Sequence, residues 1–251
     1  MNPDTGIIIL AAGLGTRMKS DKAKVLHEIC GQPMIQYVVR AATELVGPNV
    51  FIVVGHQAER VQTVVEKEFI ATYVFQPEQL GTGHAVLCAM PKLGPEIRNV
   101  VILCGDVPLI KPGTIDDLIA AHKSNGRDVT LFAVAVPNPT GYGRVLLNSE
   151  QELIGIVEEA DASPDQKKIQ IINTGIYVVE REFLNTALPE LKADNAQNEI
   201  YLTDIIAIGH KRHKNMGVVI GRDADEIIGV NSPADLQRVE NIMINMNREK
   251  Y

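Results

Sequence analysis

The first residues with a chemical signature are two glycines and two cations that follow a short apolar run. Ile7–Ile9 is β-branched and predicts a buried strand, and Gly13, Gly15, Arg17 and Lys24 come after it. Small residues behind a strand let an anion approach the backbone N–H groups, and Arg17 adds a planar fork that suits phosphate oxygens. The stretch therefore predicts a polyphosphate site.

Other interpretations of this turn remain open on the stretch alone. The dinucleotide-binding fingerprint needs a third glycine where Met18 stands, and neither Arg17 nor Lys24 is placed to complete a P-loop. A plain glycine turn between a strand and a helix, with Arg17 in solvent, is the structural alternative.

Asp106 and Gln76 are the next candidates. Asp106 follows the apolar run Val100–Cys104, and a carboxylate at a strand's carboxyl end beside a phosphate-binding turn is placed to hold Mg²⁺. The alternative is an Asp that only caps its turn. The Gln76 amide both donates and accepts, so it matches a base edge, or else it bonds only to nearby backbone.

The elements that must position these residues alternate between strand and helix through the first half of the chain. We predict strands at Ile7–Leu10, Val50–Val54, Thr72–Phe75 and Val100–Cys104, and helices at Met34–Leu45, Glu59–Glu68, Gly83–Met90 and Pro112–His122. The alternation predicts an α/β fold with a Rossmann-like, mostly parallel sheet flanked by helices. Ligands of such sheets bind beyond the carboxyl ends of the strands.

The pattern changes in the second half, where strand-like runs have little helix between them. The runs are Val129–Val136, Arg144–Leu147, Leu153–Glu158 and Ile171–Val179, and a helix is predicted at Ile200–His213. We expect this half to be more antiparallel and to form the second wall of the cleft. The predicted organisation is one domain over 1–231, with halves 1–125 and 126–231, and a C-terminal helix over 232–251 that Ser232 and Pro233 begin.

Composition excludes several classes of partner. The 251 residues carry a net charge of −7, without the basic excess that nucleic-acid binding requires. No apolar run reaches the length of a membrane span, and the three scattered cysteines suit a reducing compartment. We therefore expect a cytoplasmic protein that binds small molecules, and a homo-oligomer is compatible with these features.

A series of stretches, in order along nearly the whole chain, resembles the sugar-1-phosphate nucleotidylyltransferases. Within that family they are most similar to the uridylyltransferase domain of the bacterial N-acetylglucosamine-1-phosphate uridylyltransferases. The stretches are Leu10–Arg17, Lys24–Leu26, Gly31–Met34, Gln76–Ala85, Gly105–Leu109, Gly141–Arg144, Ile156–Glu158, Asn173–Gly175, Tyr201–Asp204 and Gly229–Asn231.

The resemblance implies an enzyme that makes UDP-N-acetylglucosamine, a precursor of the peptidoglycan cell wall, from UTP and N-acetylglucosamine-1-phosphate with Mg²⁺. Arg17, Lys24 and Asp106 would be catalytic, and Asp106 and Asn231 would hold the metal. The nucleotide-binding residues would be Leu10, Ala11, Ala12, Gly13, Gln76, Gly81 and Thr82, and the sugar-binding residues Gly143, Glu158, Asn173 and Thr203.

One detail of the predicted sugar site stays open at this point. Glu158 is followed by Glu159, and strand alternation puts the two on opposite faces, so the pattern does not decide which carboxylate points inward.

The alternatives are a related nucleotidylyltransferase for another sugar phosphate or base, and a sugar-nucleotide-binding regulatory protein without turnover. An NAD-dependent oxidoreductase is a more distant possibility. The resembled family usually carries a C-terminal acetyltransferase domain built from hexapeptide repeats, and this sequence contains no such repeats. We therefore expect no acetyl transfer by this polypeptide alone.

Overall fold

A mixed sheet with helices on both faces forms the core of the protein. The structure is a computed structural model that describes residues 2–248. Within this range the strands are β1 Thr5–Ala11, β2 Glu28–Ile29, β3 Gln32–Pro33, β4 Val50–Val54, β5 Thr72–Phe75, β6 Asn99–Cys104, β7 Val129–Ala135, β8 Arg144–Leu147, β9 Leu153–Val157, β10 Ile171–Glu180 and β11 Met216–Gly221.

The helices account for most of the remaining chain. They are α1 Met34–Val46, α2 Ala58–Val65, α3 Thr82–Ala89, α4 Pro112–Ser124, α5 Arg181–Ala187, α6 Asp204–Lys211 and α7 Pro233–Arg248. Short 3₁₀ helices include Thr16–Met18 and Lys24–Leu26. No helix among residues 2–248 is both long and apolar enough to cross a membrane.

The sheet order is β11-β7-β10-β6-β1-β4-β5, and β8 and β9 form a hairpin attached to β10. Neighbours along this order pair in parallel except for β10, which is antiparallel to β6 and β7. The prediction of a mostly parallel α/β sheet is therefore confirmed, and β10, β8 and β9 supply the antiparallel part of the second half.

The alternation of apolar side chains in β1 explains why the sheet is covered on both sides. Ile7 and Ile9 are buried in a core with α1, α2, α4 and α7 on one face, and Ile8 is buried in a core with α3, α5 and α6 on the other. A strand buried on both faces needs a continuous apolar run, and this is what Ile7–Ile9 provides.

The carboxyl ends of the parallel strands lie at one edge of the sheet, and backbone hydrogen bonds fix the turns that leave it. The Gly105 N–H donates to Leu10 O at 2.9 Å, and the Gln76 N–H donates to Val54 O at 2.8 Å. The turns after β1, β5 and β6 are therefore neighbours, as the ligand-binding rule for α/β sheets predicts.

Two boundaries near the end of the chain differ or fall partly outside the structure. The predicted helix Ile200–His213 is wrong at its start, because α6 begins only at Asp204 and the backbone of Ile200 bonds to Leu80 and Gly83 instead. The predicted C-terminal helix is observed as α7, and residues 249–251 lie outside the described range. Ser232 Oγ accepts from the Asp235 N–H at 3.3 Å, which caps α7 as expected.

Candidate active site

A cleft of about 440 Å³ opens at the carboxyl edge of β1, β5 and β6. The predicted catalytic residues Lys24 and Asp106 line it, together with Glu199 from the segment before α6. All the residues predicted to bind the nucleotide also line it: Leu10, Ala11, Ala12, Gly13, Gln76, Gly81 and Thr82.

The glycine turn after β1 brings Lys24 into the cleft. Gly15 has a φ of +65°, and a Cβ at this position would lie 2.6 Å from the Lys24 Cβ. Both the left-handed backbone and the close approach therefore require glycine. The 3₁₀ helix Thr16–Met18 follows and carries Arg17 towards the turn that contains Asn231.

Four predicted site residues meet where Lys24 and Asp106 line the cleft, and Arg17 and Asn231 lie beside its lining. The Lys24 ammonium contacts both Asp106 Oδ2 and Asn231 Oδ1, the latter at 3.2 Å. Arg17 donates to the same Asn231 Oδ1 at 2.8 Å. The Val230 N–H donates to Asp106 O at 2.9 Å, so the turn from 229 to 231 is fixed beside the end of β6.

The oxygen atoms of this cluster fit a divalent cation. Asp106 Oδ2 and Asn231 Oδ1 both contact the Lys24 ammonium. Asn231 Nδ2 donates to Gly229 O, which directs Oδ1 towards that ammonium. In the part of the chain that the structure describes, no three His, Cys, Asp or Glu side chains cluster as metal ligands. A carboxylate and an amide oxygen suit Mg²⁺, which takes its other ligands from water and substrate phosphates.

Gln76 also lines the cleft and is buried at 3 % exposure. Its Nε2 donates to Gly81 O at 3.2 Å and lies 3.1 Å from His84 Nδ1. These contacts hold the amide nitrogen, while Oε1 makes no hydrogen bond to residues 2–248. The side chain can therefore offer a fixed acceptor to a base.

The loop that carries Gly81 and Thr82 is tied to the segment before α6. A Cβ on Gly81 would lie 2.5 Å from Ile200 O, and its φ is +119°. The Ile200 N–H donates to Leu80 O at 2.6 Å, and the Leu202 N–H donates to Thr82 Oγ1 at 3.0 Å. Thr82 therefore holds the loop as well as lining the cleft.

The predicted sugar residues form a second group next to this cleft. The Asn173 N–H donates to Gly143 O at 2.8 Å, and a Cβ on Gly143 would lie 3.1 Å from Glu158 Oε2. Burial raises the pKa of the Glu158 carboxyl above its ordinary value, and the nearby Thr203 hydroxyl lowers this pKa in part. Thr203 Oγ1 is itself buried but makes no hydrogen bond of normal geometry within residues 2–248.

The structure also separates the two adjacent glutamates. Glu159 pairs with Arg144 at 2.7 Å, and Arg144 is only 1 % exposed, so Glu159 neutralises a buried guanidinium. Glu158 has no such ion pair among the described residues and lies against Gly143. Of the two carboxylates, Glu159 is therefore the one that Arg144 engages, and Glu158 is the one that it does not.

Cys104 connects the two groups of residues. It lines the cleft, and its Sγ lies 3.7 Å from the carbonyl oxygen of Gly175, two residues after Asn173. Burial raises the pKa of the Cys104 thiol to about 12, so it is a packed thiol rather than a nucleophile. The sequence analysis did not identify Glu199, because no local pattern places that residue in the cleft.

Comparison with known proteins gives a consistent match. Residues 7–168 match the family of MobA-like NTP transferase domains. The chain is 46 % identical over 236 residues to the "Bifunctional protein GlmU" of Pelobacter propionicus, an alignment that covers 94 % of this chain and 51 % of that protein. It is 45 % identical over 244 residues to the protein of the same name from Caldanaerobacter subterraneus, covering 97 % of this chain and 52 % of that protein. The chain thus spans about half the length of these curated relatives.

Two further comparisons extend this result. A protein of the same name from Desulfotalea psychrophila is 41 % identical over 244 residues, an alignment that covers 97 % of this chain and 72 % of that protein. A crystal structure from Bacillus anthracis, assigned as a glucose-1-phosphate thymidylyltransferase in complex with sucrose, superposes with a TM-score of 0.74 at 20 % identity. It covers 95 % of this chain and 94 % of its own, which confirms the fold.

Proposed function

Because the chain belongs to the family of MobA-like NTP transferase domains and is a nucleotidyltransferase, we propose that it transfers a uridylyl group from UTP to N-acetylglucosamine-1-phosphate. The products are UDP-N-acetylglucosamine and pyrophosphate. The observation that carries the proposal is the cluster of Arg17, Lys24, Asp106 and Asn231 at a nucleotide-sized cleft.

The reaction needs charge neutralisation more than proton transfer. A phosphate oxygen of the sugar phosphate forms a bond to the α-phosphorus of UTP, and the bond from that phosphorus to the bridging oxygen of the β-phosphate breaks. The attacking oxygen is already an anion near neutral pH, so no general base is required. Catalysis rests on positioning and on cations that balance the charge of two polyanions.

The cluster supplies these cations from two elements. Arg17 would bind the β- and γ-phosphates that leave, because its planar fork matches two phosphate oxygens. Lys24 would bind the phosphates at the reacting centre. Its ammonium would then contact phosphate oxygens in place of the Asp106 carboxylate. Asp106 and Asn231 would hold Mg²⁺, which neutralises charge on the phosphates when bound.

The position of Gln76 supports uracil as the base. Its Nε2 is held by Gly81 O, which leaves Oε1 as the acceptor in the cleft. Uracil presents an N3–H donor on its base-pairing edge, whereas the corresponding nitrogen of cytosine is an acceptor. An acceptor held in place by a buried side chain therefore favours uracil over cytosine.

The second group of residues supports a sugar that carries an amide. Glu158 is an acceptor without an ion-pair partner among the described residues, and Asn173 lies beside it on β10. Hydroxyl groups of the sugar would donate to Glu158, and the acetamido group would bond to Asn173. The name shared by the curated relatives is consistent with this assignment.

A pyrophosphate-release screen tests the substrate assignment. The chain is mixed with Mg²⁺, one of UTP, dTTP, CTP, ATP or GTP, and one of N-acetylglucosamine-1-phosphate, glucosamine-1-phosphate or glucose-1-phosphate. We expect the highest kcat/KM for UTP with N-acetylglucosamine-1-phosphate. Equal or faster release with another pair would assign the chain to a related nucleotidylyltransferase.

A further inference from the structure

We propose that Tyr177 is a positioning residue that fixes the orientation of the Asn173 side-chain amide, so that Asn173 presents its N–H donors to the sugar. The inference rests on the proposed function, because it concerns how the chain selects an acetamido sugar. It assigns a role to a residue that lies in the sheet core and touches no substrate itself.

A β-bulge brings Tyr177 within reach of Asn173. Asn173 lies opposite Ala133 of β7, whereas Tyr177, four residues further along β10, lies opposite Leu131. The register shifts between Asn173 and Ile176, so the two residues of β10 between them have no partner in β7. Tyr177 therefore lies on the same face of the sheet as Asn173. Its distance from Asn173 is that between residues two apart in a regular strand, roughly 6–7 Å.

The bulge is held by its own side chains and by a glycine. Thr174 Oγ1 donates to Phe132 O at 2.6 Å and accepts from the Ile176 N–H at 3.2 Å. Gly175 has a φ of +76°, and a Cβ there would lie 2.8 Å from Cys104 Sγ. The Thr174 hydroxyl and the left-handed backbone of Gly175 thus both stabilise the bulge.

Two donors converge on one oxygen of Asn173. The Tyr177 hydroxyl donates to Asn173 Oδ1 at 2.8 Å, and the Gly175 N–H donates to the same atom at 3.0 Å. An amide oxygen has two lone pairs, so both are used. A flipped amide would direct its NH₂ group at the Gly175 N–H, which can only donate, and Nδ2 bonds to no other residue in the described range. The N–H donors of Asn173 are therefore left free for a ligand.

The surroundings of Tyr177 keep its hydroxyl protonated, so that it has a proton to donate. The side chain is 1 % exposed, and burial, together with the charge of Glu158, holds the pKa of Tyr177 well above its usual range. The phenol stays protonated across the working pH, and Asn173 Oδ1 is the acceptor that its proton reaches.

The consequence is a pair of side chains with opposite polarity. Glu158 accepts, and Asn173 donates, so a sugar that carries hydroxyl donors and an acetamido carbonyl satisfies both. Glucose-1-phosphate has no acetamido carbonyl, and the ammonium group of glucosamine-1-phosphate meets another donor. Tyr177 thereby contributes to specificity without contacting the sugar.

The test compares Tyr177→Phe with Tyr73→Phe, whose hydroxyl is also buried but has no hydrogen-bond partner among residues 2–248. Steady-state kinetics give KM and kcat for each sugar phosphate at saturating UTP, and kcat/KM for UTP. We expect Tyr177→Phe to raise KM for N-acetylglucosamine-1-phosphate about fivefold and to lower its preference over glucose-1-phosphate by a similar factor. KM for UTP stays unchanged, and Tyr73→Phe behaves as the wild type.

A double-mutant cycle separates positioning from a general structural effect. In an Asn173→Ala background, Tyr177→Phe should produce no further change, because the group that it orients is gone. Asn173→Asp keeps an acceptor for both donors but removes the N–H groups, so it should reproduce the effect of Tyr177→Phe even if the latter variant folds poorly.

Three outcomes would overturn the inference. The first is an unchanged KM for the sugar phosphate in Tyr177→Phe. The second is a loss of sugar preference on Tyr177→Phe that is equally large with Asn173 and with Asn173→Ala. The third is a rise in KM for UTP that equals the rise in KM for the sugar phosphate. A wild-type chain that forms no UDP-N-acetylglucosamine would reject the proposed function and the inference together. An active wild type with an unaffected Tyr177→Phe would reject the inference alone.

Discussion

The Lys24 ammonium contacts the Asp106 carboxylate across the carboxyl ends of β1 and β6, although 82 residues separate the two in sequence. Their side chains are only 17 % and 16 % exposed, so the pair is largely shielded from water. A residue proposed to bind phosphate and a residue proposed to bind metal thus neutralise one another in the structure. A nucleoside triphosphate with its divalent cation would replace both partners at once, which leaves neither charge unpaired.

Removing the Asp106 carboxylate should separate catalysis from folding. We expect Asp106→Ala to lower kcat about a hundredfold or more, because the proposed metal loses its charged ligand. The melting temperature should fall only slightly, because Lys24 keeps Asn231 Oδ1 as a hydrogen-bond acceptor and lines the cleft. Asp165→Ala is the control, because that carboxylate is exposed and its one ion pair among residues 2–248 is with Lys168. Near-normal Mg²⁺-dependent turnover in Asp106→Ala would contradict the metal role.

The geometry of Arg17 should matter as well as its charge. Arg17→Ala and Arg17→Lys should both lower kcat/KM for UTP, and lysine should restore only part of it because it lacks the bidentate fork. Arg238→Lys, an exposed residue paired with Asp225, is the matched control. If Arg17→Lys equals the wild type, Arg17 acts as a simple point charge or has no role in binding UTP.

The adjacent glutamates should respond differently to the same change. Glu158→Gln should raise KM for N-acetylglucosamine-1-phosphate about tenfold and leave UTP kinetics nearly intact, because it removes a charged acceptor of sugar hydroxyls. Glu159→Gln should instead lower the melting temperature by several degrees, since Arg144 is buried and loses its ion pair. Kinetics and thermal melts on both variants check this. Exchanged phenotypes would mean that Glu159 faces the sugar.

A buried histidine outside the site predicts acid sensitivity of the fold. His122 is 2 % exposed, and burial lowers its pKa to about 4 from an ordinary value of 6.5. His122 binds a proton near pH 6.5 in the unfolded chain but only near pH 4 in the folded chain. The free energy of unfolding therefore decreases as the pH falls from 6.5 towards 4. The contribution is about 3 kcal/mol.

Chemical denaturation at several pH values between 7 and 4 measures this effect. His122→Gln cannot titrate, so its stability should fall less steeply over the window than that of the wild type. His210→Gln, an exposed residue on α6, should retain the wild-type slope. Identical slopes for His122→Gln and the wild type would show that other groups cause the acid sensitivity.

Local sequence patterns predict much of this molecule, and long-range contacts decide the rest. The apolar run Ile7–Ile9, the glycine turn behind it and the position of Asp106 after β6 are enough to predict the cleft edge, because strand direction and strand ends follow from short segments. The roles of Glu158 and Glu159 required the structure, since only the location of Arg144 distinguishes them.

The same limit explains the features that were missed. The backbone of Ile200 is bonded to Leu80 and Gly83, so it cannot belong to the helix that its neighbours predict. The bulge that brings Tyr177 to Asn173 depends on pairing with β7. Asn173 lies opposite Ala133, which is forty residues earlier in the chain. Neither contact leaves a periodic signal in the sequence.

The most direct measurement of the central claim is product formation by the wild-type chain. The chain is incubated with UTP, N-acetylglucosamine-1-phosphate and Mg²⁺, and UDP-N-acetylglucosamine and pyrophosphate are quantified together, with each component omitted in turn. We predict equal amounts of the two products in the complete mixture and neither when any component is absent or chelated. A complete mixture that binds UTP but releases no pyrophosphate would contradict the assignment of Arg17, Lys24 and Asp106 to uridylyl transfer.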